Sequence, residues 1–138
     1  MSQNIKLAVP FFMVLDMDAS LRFYVEGLGF QMTNKWVPRG KIEWCWLQRD
    51  GVAIMLQEPR QQKEGPPEQK GRGVAICMQC EDALALYHEF VAKGLSVSEP
   101  FVGNNMWVVD LKDPDGYSLS FQSVTDVPEE TNYSEWKK

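Results

Sequence analysis

Apolar and polar positions run along this chain in two passes of the same order. The first opens with residues 7–15, an almost unbroken apolar run ending at Asp16. A run this short, carrying Pro10 and two phenylalanines, predicts a buried strand rather than a helix. Asp16 is placed to cap a helix start, and Asp18 adds a second acid to the first turn. Leu21, Phe23, Tyr24 and Leu28 then form a rough helical stripe that Gly29 closes. Strand-like runs follow at 30–37, 42–48 and 52–57, separated by turns at Pro38-Arg39-Gly40 and Arg49-Asp50-Gly51. The order is β-α-β-β-β.

Residues 61–71 (QQKEGPPEQKG) hold no apolar side chain except two prolines and read as a flexible linker. The second pass repeats the first. A strand is predicted over 74–78. A helix follows over 81–92, with Leu84, Tyr87, Phe90 and Val91 on one side and Gly94 after it. Three more strands are expected at 95–102, 106–111 and 117–122, the last two joined by Asp113-Pro114-Asp115-Gly116. Such a tandem repeat of one unit predicts an α+β fold. The expected organisation is a first module over 1–60, the linker over 61–71, a second module over 72–124, and a polar tail over 125–138 that packs only in part.

Composition narrows the partners. Hydrophobic residues make up 44% of the 138, so one packed domain is attainable. A net charge of −5 repels phosphate backbones, and no nucleic-acid partner is expected. No apolar run has the length a bilayer demands, and the first residues lack the pattern of a secretory signal. No membrane association is therefore expected. Three cysteines, an odd number, read as reduced thiols in a cytoplasmic protein.

Two signatures bracket the repeat. Val14-Leu15-Asp16-Met17-Asp18-Ala19-Ser20-Leu21-Arg22-Phe23-Tyr24, followed by Gly27-Leu28-Gly29-Phe30, resembles the opening V-x-D-x-x-x-S-x-x-F-Y…L-G-F of the vicinal-oxygen-chelate superfamily, the glyoxalase, bleomycin-resistance and extradiol-dioxygenase group. Asp113-Pro114-Asp115-Gly116-Tyr117-x-Leu119 resembles its closing D-P-D-G-N-x-x-E. The likeness spans 7–123, and Ala8-Val9-Pro10 resembles the bleomycin-resistance branch in particular. The resemblance implies two curved mixed sheets around a cleft, with helices on the outer faces. In metal-bearing members it implies one His, Gln or Glu ligand from the first and the last strand of each module.

Counting by the family's spacing from Asp16 puts the first such position at Val9. Counting from Asp115-Gly116 puts the last at Ser120, and the repeat maps Ser120 onto Met55. The fourth falls at Gly73, which strand alternation favours over Arg72. Valine, methionine, glycine and serine are poor ligands for a divalent metal. The expectation is no metal and no cofactor. Phe11, Met13 and Gln122 should share the cavity with these four positions. Trp44 and Trp46 share one strand face, and with Trp107 and Gln57 they are expected to complete a cleft with an aromatic wall; the alternative is that the tryptophans fill an interface between modules or protomers.

Other candidates carry bland readings beside the sharper ones. Cys77-x-x-Cys80 reads as a redox pair or as two incidental buried thiols. The second is preferred, because Cys77 falls in a strand rather than at a helix start. His88 reads as a surface helix residue. The acid pairs Asp16/Asp18 and Asp113/Asp115 read as caps and turns rather than catalytic dyads.

Two functions remain. One is a metal-free protein that sequesters a small, flat or cationic molecule in clefts formed by a homodimer. The other is a lyase or dioxygenase of the same superfamily with a displaced metal site.

Overall fold

The computed structural model describes residues 4–61 and 70–137. Most of the expected linker, 62–69, lies outside the described residues. Two four-stranded sheets carry the fold. The first has the order β1-β4-β3-β2, from β1 (Phe11–Met13), β2 (Gln31–Trp36), β3 (Trp44–Arg49) and β4 (Val52–Gln57). The second has the order β5-β8-β7-β6, from β5 (Ala75–Gln79), β6 (Phe101–Gly103), β7 (Met106–Lys112) and β8 (Ser118–Val124). In each sheet the first strand lies parallel to the last and all other pairings are antiparallel, so both are mixed.

Each module crosses from its first to its second strand through a helix. In the first, α1 (Met17–Leu21) is capped by the Asp16 carboxylate, which accepts from the Asp18 and Ala19 amides. It runs into a π-helical turn over Arg22–Gly27, whose wider winding is marked by the Leu28 N–H donating to the Phe23 carbonyl at 2.8 Å. In the second module α2 (Ala83–Ala92) is capped by Asp82. Both helices lie on the inward-packed faces of the sheets. One core joins the modules, built from Val14, Tyr24, Leu28, Cys45, Leu47, Ile54 and Leu56 on one side and Phe90, Val102, Val109, Leu119 and Phe121 on the other.

The two modules are stitched by polar groups as well. Tyr24 donates to Asp113 at 2.8 Å, and Asp115 accepts from the Leu15 amide at 2.9 Å and from Lys70 at 2.8 Å. Phe12 stacks on Tyr117 with centroids 4.2 Å apart, and the Tyr117 hydroxyl donates to the Met13 carbonyl. Gly27 is buried where the modules meet, and a Cβ there would lie 2.9 Å from a Leu95 methyl, so only glycine fits without displacing Leu95.

One segment departs from expectation. Of the strand expected over 95–102, only the end forms, as part of β6 (Phe101–Gly103), just after Pro100, which has no N–H to give a ladder. No residue of the described tail is buried, yet its backbone is tied down. Val102 donates to the Thr131 carbonyl and Glu130 donates back to that of Val102, which adds the tail to the edge beside β6. A short α3 (Tyr133–Trp136) then lies over Trp107, with its Tyr133 and Trp136 rings 6.1 and 5.4 Å from that indole.

Candidate functional site

Each sheet packs one face on the core and leaves the other open. On the first sheet the pairings Phe11↔Met55, Met13↔Gln57, Trp46↔Met55 and Trp44↔Gln57 bring six expected cleft residues onto the open face. Trp36 joins them opposite Trp44, and Asn34 opposite Trp46. The bulge between Met32 and Asn34 resets the alternation of β2 so that these two face outward. Phe11 and Trp36 are about half exposed, at 46% and 52%. Trp44, Trp46 and Met55 are half-buried beside them. No charged strand residue falls on it.

The second sheet's open face is polar. Ser118, Ser120 and Gln122 alternate along β8, and Gln122 donates to the Ser120 hydroxyl at 3.0 Å. Cross-strand partners add Cys77 and Gln79 from β5 and Asp110 from β7. Asp110 sits directly opposite Ser120. The face therefore carries hydroxyls, amides and a central carboxylate, with Lys112 at its end; Ser120 and its neighbour Val108 are themselves buried, and Cys77 and Gln79 are exposed.

Trp107 does not belong to this set, contrary to expectation. It pairs with Val102 and Ser123, residues of the core side, and is only 5% exposed beneath α3. The register of β7 gives the open face to Met106, Val108 and Asp110 instead. Asp110, Cys77 and Gln79 were missed with it. The signal lay in β7 itself, where Asp110 alternates against Trp107.

The four positions that match the family's ligand positions, expected to share one cavity, are divided. Val9 precedes β1 and Met55 lies on β4, both in the first module, while Ser120 lies on β8 of the second. Gly73 lies in the turn ahead of β5, at φ +83°, rather than in the strand. The registers relocate its role. Phe11 pairs with Met55, and Cys77 pairs with Ser120. Since Met55 and Ser120 are repeat equivalents, Phe11 corresponds to Cys77, and two residues back Val9 corresponds to Ala75. Alanine is no better a ligand than glycine. The donor set at these positions does not fit a divalent metal. Among the described residues no group of three or more His, Cys, Asp or Glu side chains is placed to hold one.

The remaining candidates have structural roles. His88 is exposed on α2, its Nε2 2.9 Å from the Tyr133 hydroxyl. Asp113 is buried and accepts from Tyr24 and from the Asp115 and Tyr117 amides, while burial pushes its carboxyl pKa up. Of the cysteines, Cys45 is buried and desolvation pushes its thiol up to about 11. Cys77 is exposed rather than buried, because it points out of the open face.

A two-sheet, twice-repeated β-α-β-β-β fold with an open face on each sheet defines a class. Residues 6–121 match the model of the Glyoxalase/Bleomycin resistance protein/Dioxygenase superfamily, and the chain belongs to that family. Among solved structures, the bleomycin resistance determinant encoded on the transposon Tn5 superposes with a TM-score of 0.69 at 20% identity, over 89% of this chain and 100% of that one. A bleomycin-binding protein complexed with bleomycin gives 0.68 at 20% identity, over 86% and 98%. TnmS3, an antibiotic binding protein from Streptomyces sp. CB03234, gives 0.66 at 20% identity, over 89% and 100%. At these identities the likeness speaks for the fold. No curated protein matches the chain. Among the described residues no helix is long and apolar enough to cross a membrane.

Proposed function

We propose that this protein is a metal-free, small-molecule-binding member of its family, of the drug-sequestration kind, acting in the cytoplasm. Its ligand lies between the aromatic open face of the first sheet of one copy and the polar open face of the second sheet of another, in a homodimer. The observation that carries this reading is the row Phe11, Trp36, Trp44, Trp46 and Met55 on one sheet face, Phe11 and Trp36 exposed and the other three half-buried, while the opposite face is buried in the core. Leaving such a face wet wastes apolar surface that burial would stabilise by about 25 cal/mol per Å². A flat aromatic ligand is matched by the indoles, and its polar edge by Ser120, Gln122 and Asp110. Asp110 suits a single cationic or hydrogen-bond-donating group. The antibiotic-binding character of similarly folded proteins supports the ligand class.

The test is a ligand-shift melting screen of planar aromatic compounds and cationic glycopeptides, repeated on Trp44→Ala/Trp46→Ala. Melting shifts present in the wild type and lost in the double variant are expected. Shifts that survive the double variant would place the ligand elsewhere. Stoichiometric metal by elemental analysis would turn the reading toward an enzyme.

A further inference from the structure

A groove of about 760 Å³ runs between the modules on the helix side, remote in character from the open faces. Its apolar lining is Val52 from the first module and Leu86 from the second, both half-buried, over the edges of the core residues Phe30, Met78 and Phe121. Its rim is acidic. Asp50, Glu81, Asp82 and Glu89 line it against a single base, Arg49. Of its lining only Gln79 also belongs to an open face.

The charges on the rim are unequally engaged. Arg49 is committed to Glu89, through hydrogen bonds of 2.8 and 3.1 Å, and to the Leu28 carbonyl. Asp82 caps α2, accepting from Ala85 at 3.0 Å. Asp50 and Glu81 are exposed and make no hydrogen bond or ion pair with another described residue. Arg49 also attracts Asp50 electrostatically, so one cation faces four carboxylates and the edge of the groove keeps an excess of negative charge.

We propose that this groove is a second binding site, for a small lipophilic cation whose body rests against Val52 and Leu86, above the edges of Phe30, Met78 and Phe121, and whose charge faces Asp50 and Glu81. The sign follows from the rim, since carboxylates beside a low-dielectric floor attract cations and repel anions. The size follows from the volume, which falls in the range of roughly 300–1,000 Å³ typical of small-molecule sites. The site is independent of the cleft reading, because it is built from the helix-side faces and the β3–β4 turn of a single copy.

Tetraphenylphosphonium and tetraphenylborate are matched probes, alike in shape and opposite in charge. Binding would be followed by calorimetry and by the ¹³C-methyl resonance of Met78 in the full-length protein. The phosphonium is expected to bind and to shift the Met78 methyl, and the borate to bind far more weakly. Asp50→Asn/Glu81→Gln should weaken the phosphonium about tenfold, of the order expected for two partly screened charges. Its melting temperature should stay unchanged, since asparagine tolerates the positive φ of 50° at position 50 and both side chains are exposed. Trp44→Ala/Trp46→Ala should leave this binding intact. The proposal is overturned if the two ions bind alike, if the carboxylate variant binds unchanged, if no phosphonium binds, or if binding vanishes only in the tryptophan variant.

Discussion

Tyr24 donates its phenolic hydroxyl to the Asp113 carboxylate at 2.8 Å, joining the first module's helical segment to the turn that launches the second module's last strand. Glu89 makes the reciprocal crossing, from the second helix to Arg49 at the end of β3. The same 65-residue spacing separates Tyr24 from Glu89, Asp50 from Asp115 and Met55 from Ser120. The repeat thus reappears as two crossed struts. They differ in solvent: Tyr24 and Asp113 are buried, while Arg49 and Glu89 are part-exposed. Losing a buried bond to a carboxylate costs about 1–3 kcal/mol, whereas a surface ion pair is worth about 0–1. Tyr24→Phe should therefore lower the melting temperature by roughly 3–12 °C, and Arg49→Met by clearly less. Equal losses in thermal unfolding would show that the buried strut is not the stronger one.

The three thiols should react in an order set by their sheet faces. Cys77 is exposed on the open face of β5. Cys80 is half-buried, its thiol raised by desolvation and directed at the Gln122 carbonyl. Cys45 sits in the core with its thiol pushed up to about 11. Brief alkylation at mildly alkaline pH, read by peptide mass spectrometry, should mark Cys77 first and Cys45 only after unfolding. Early labelling of Cys45 would contradict its placement.

Glu43 contributes to acid stability, as does Glu99, whose carboxyl is held low by its hydrogen bonds with Ser134. The buried carboxylate of Glu43 is held below its usual pKa, chiefly by the Arg60 hydrogen bond, with Arg39 adding attraction. A depressed carboxyl stabilises the fold fully above its unfolded pKa and loses that contribution as pH falls through the folded one. Asp113 has the opposite sign: its raised folded pKa makes the native state the better proton binder, so acid does not unfold the protein through it. Glu43→Gln should be less stable than wild type at neutral pH, and the gap should close on acidification. A gap that stays constant with pH would remove Glu43 from the account.

Much of this was legible in the residues because the signals are local. Asp16 capping α1 and Gly29 and Gly94 turning at positive φ need only neighbours in the chain. Alternation along β8 separated Leu119 and Phe121 from Ser118, Ser120 and Gln122. What was not legible depends on distant partners. Trp107 was given to the cleft on residue type, although its face is decided by pairing with Val102 and Ser123 and by α3 arriving from the end of the chain. Gly73 was given the fourth ligand position by counting, although the parallel register of β5 against β8 starts two residues later. The tail's polarity concealed its backbone pairing beside β6, which uses N–H and carbonyl groups common to every residue type.

The apolar open face of the first sheet should drive self-association. Phe11 and Trp36 are exposed, and neither stabilises the single chain as far as its exposure permits. The protein should sediment as a dimer at micromolar concentration. Phe11→Glu should yield a folded monomer, since a charge there meets water in the single chain and a partner's surface in the dimer. A monomeric wild type would remove the basis for a cleft shared between copies.

The relocation of the fourth ligand position from Gly73 to Ala75 makes the metal question a test of strand register. In family members that hold a metal, the resemblance implies ligands from the first and last strand of each module. Here those positions are Val9, Met55, Ala75 and Ser120, and none of the four supplies an imidazole, carboxylate or thiolate. Wild-type protein, dialysed against zinc or nickel, should retain no stoichiometric metal. Installing donors should change this only where the register is right. Val9→His/Met55→Glu/Ala75→His/Ser120→Glu should bind zinc with an affinity that the same set with Gly73→His in place of Ala75→His does not reach. The reason is geometric: position 75 lies two residues from Cys77, which pairs with Ser120, whereas position 73 lies in a turn at φ +83° that a histidine adopts only with strain. Because the two modules' open faces belong to different sheets, the grafted site should also require the dimer, so adding Phe11→Glu should abolish it. Equal affinities for the 73 and 75 variants would show that the two modules do not repeat at the level of single residues.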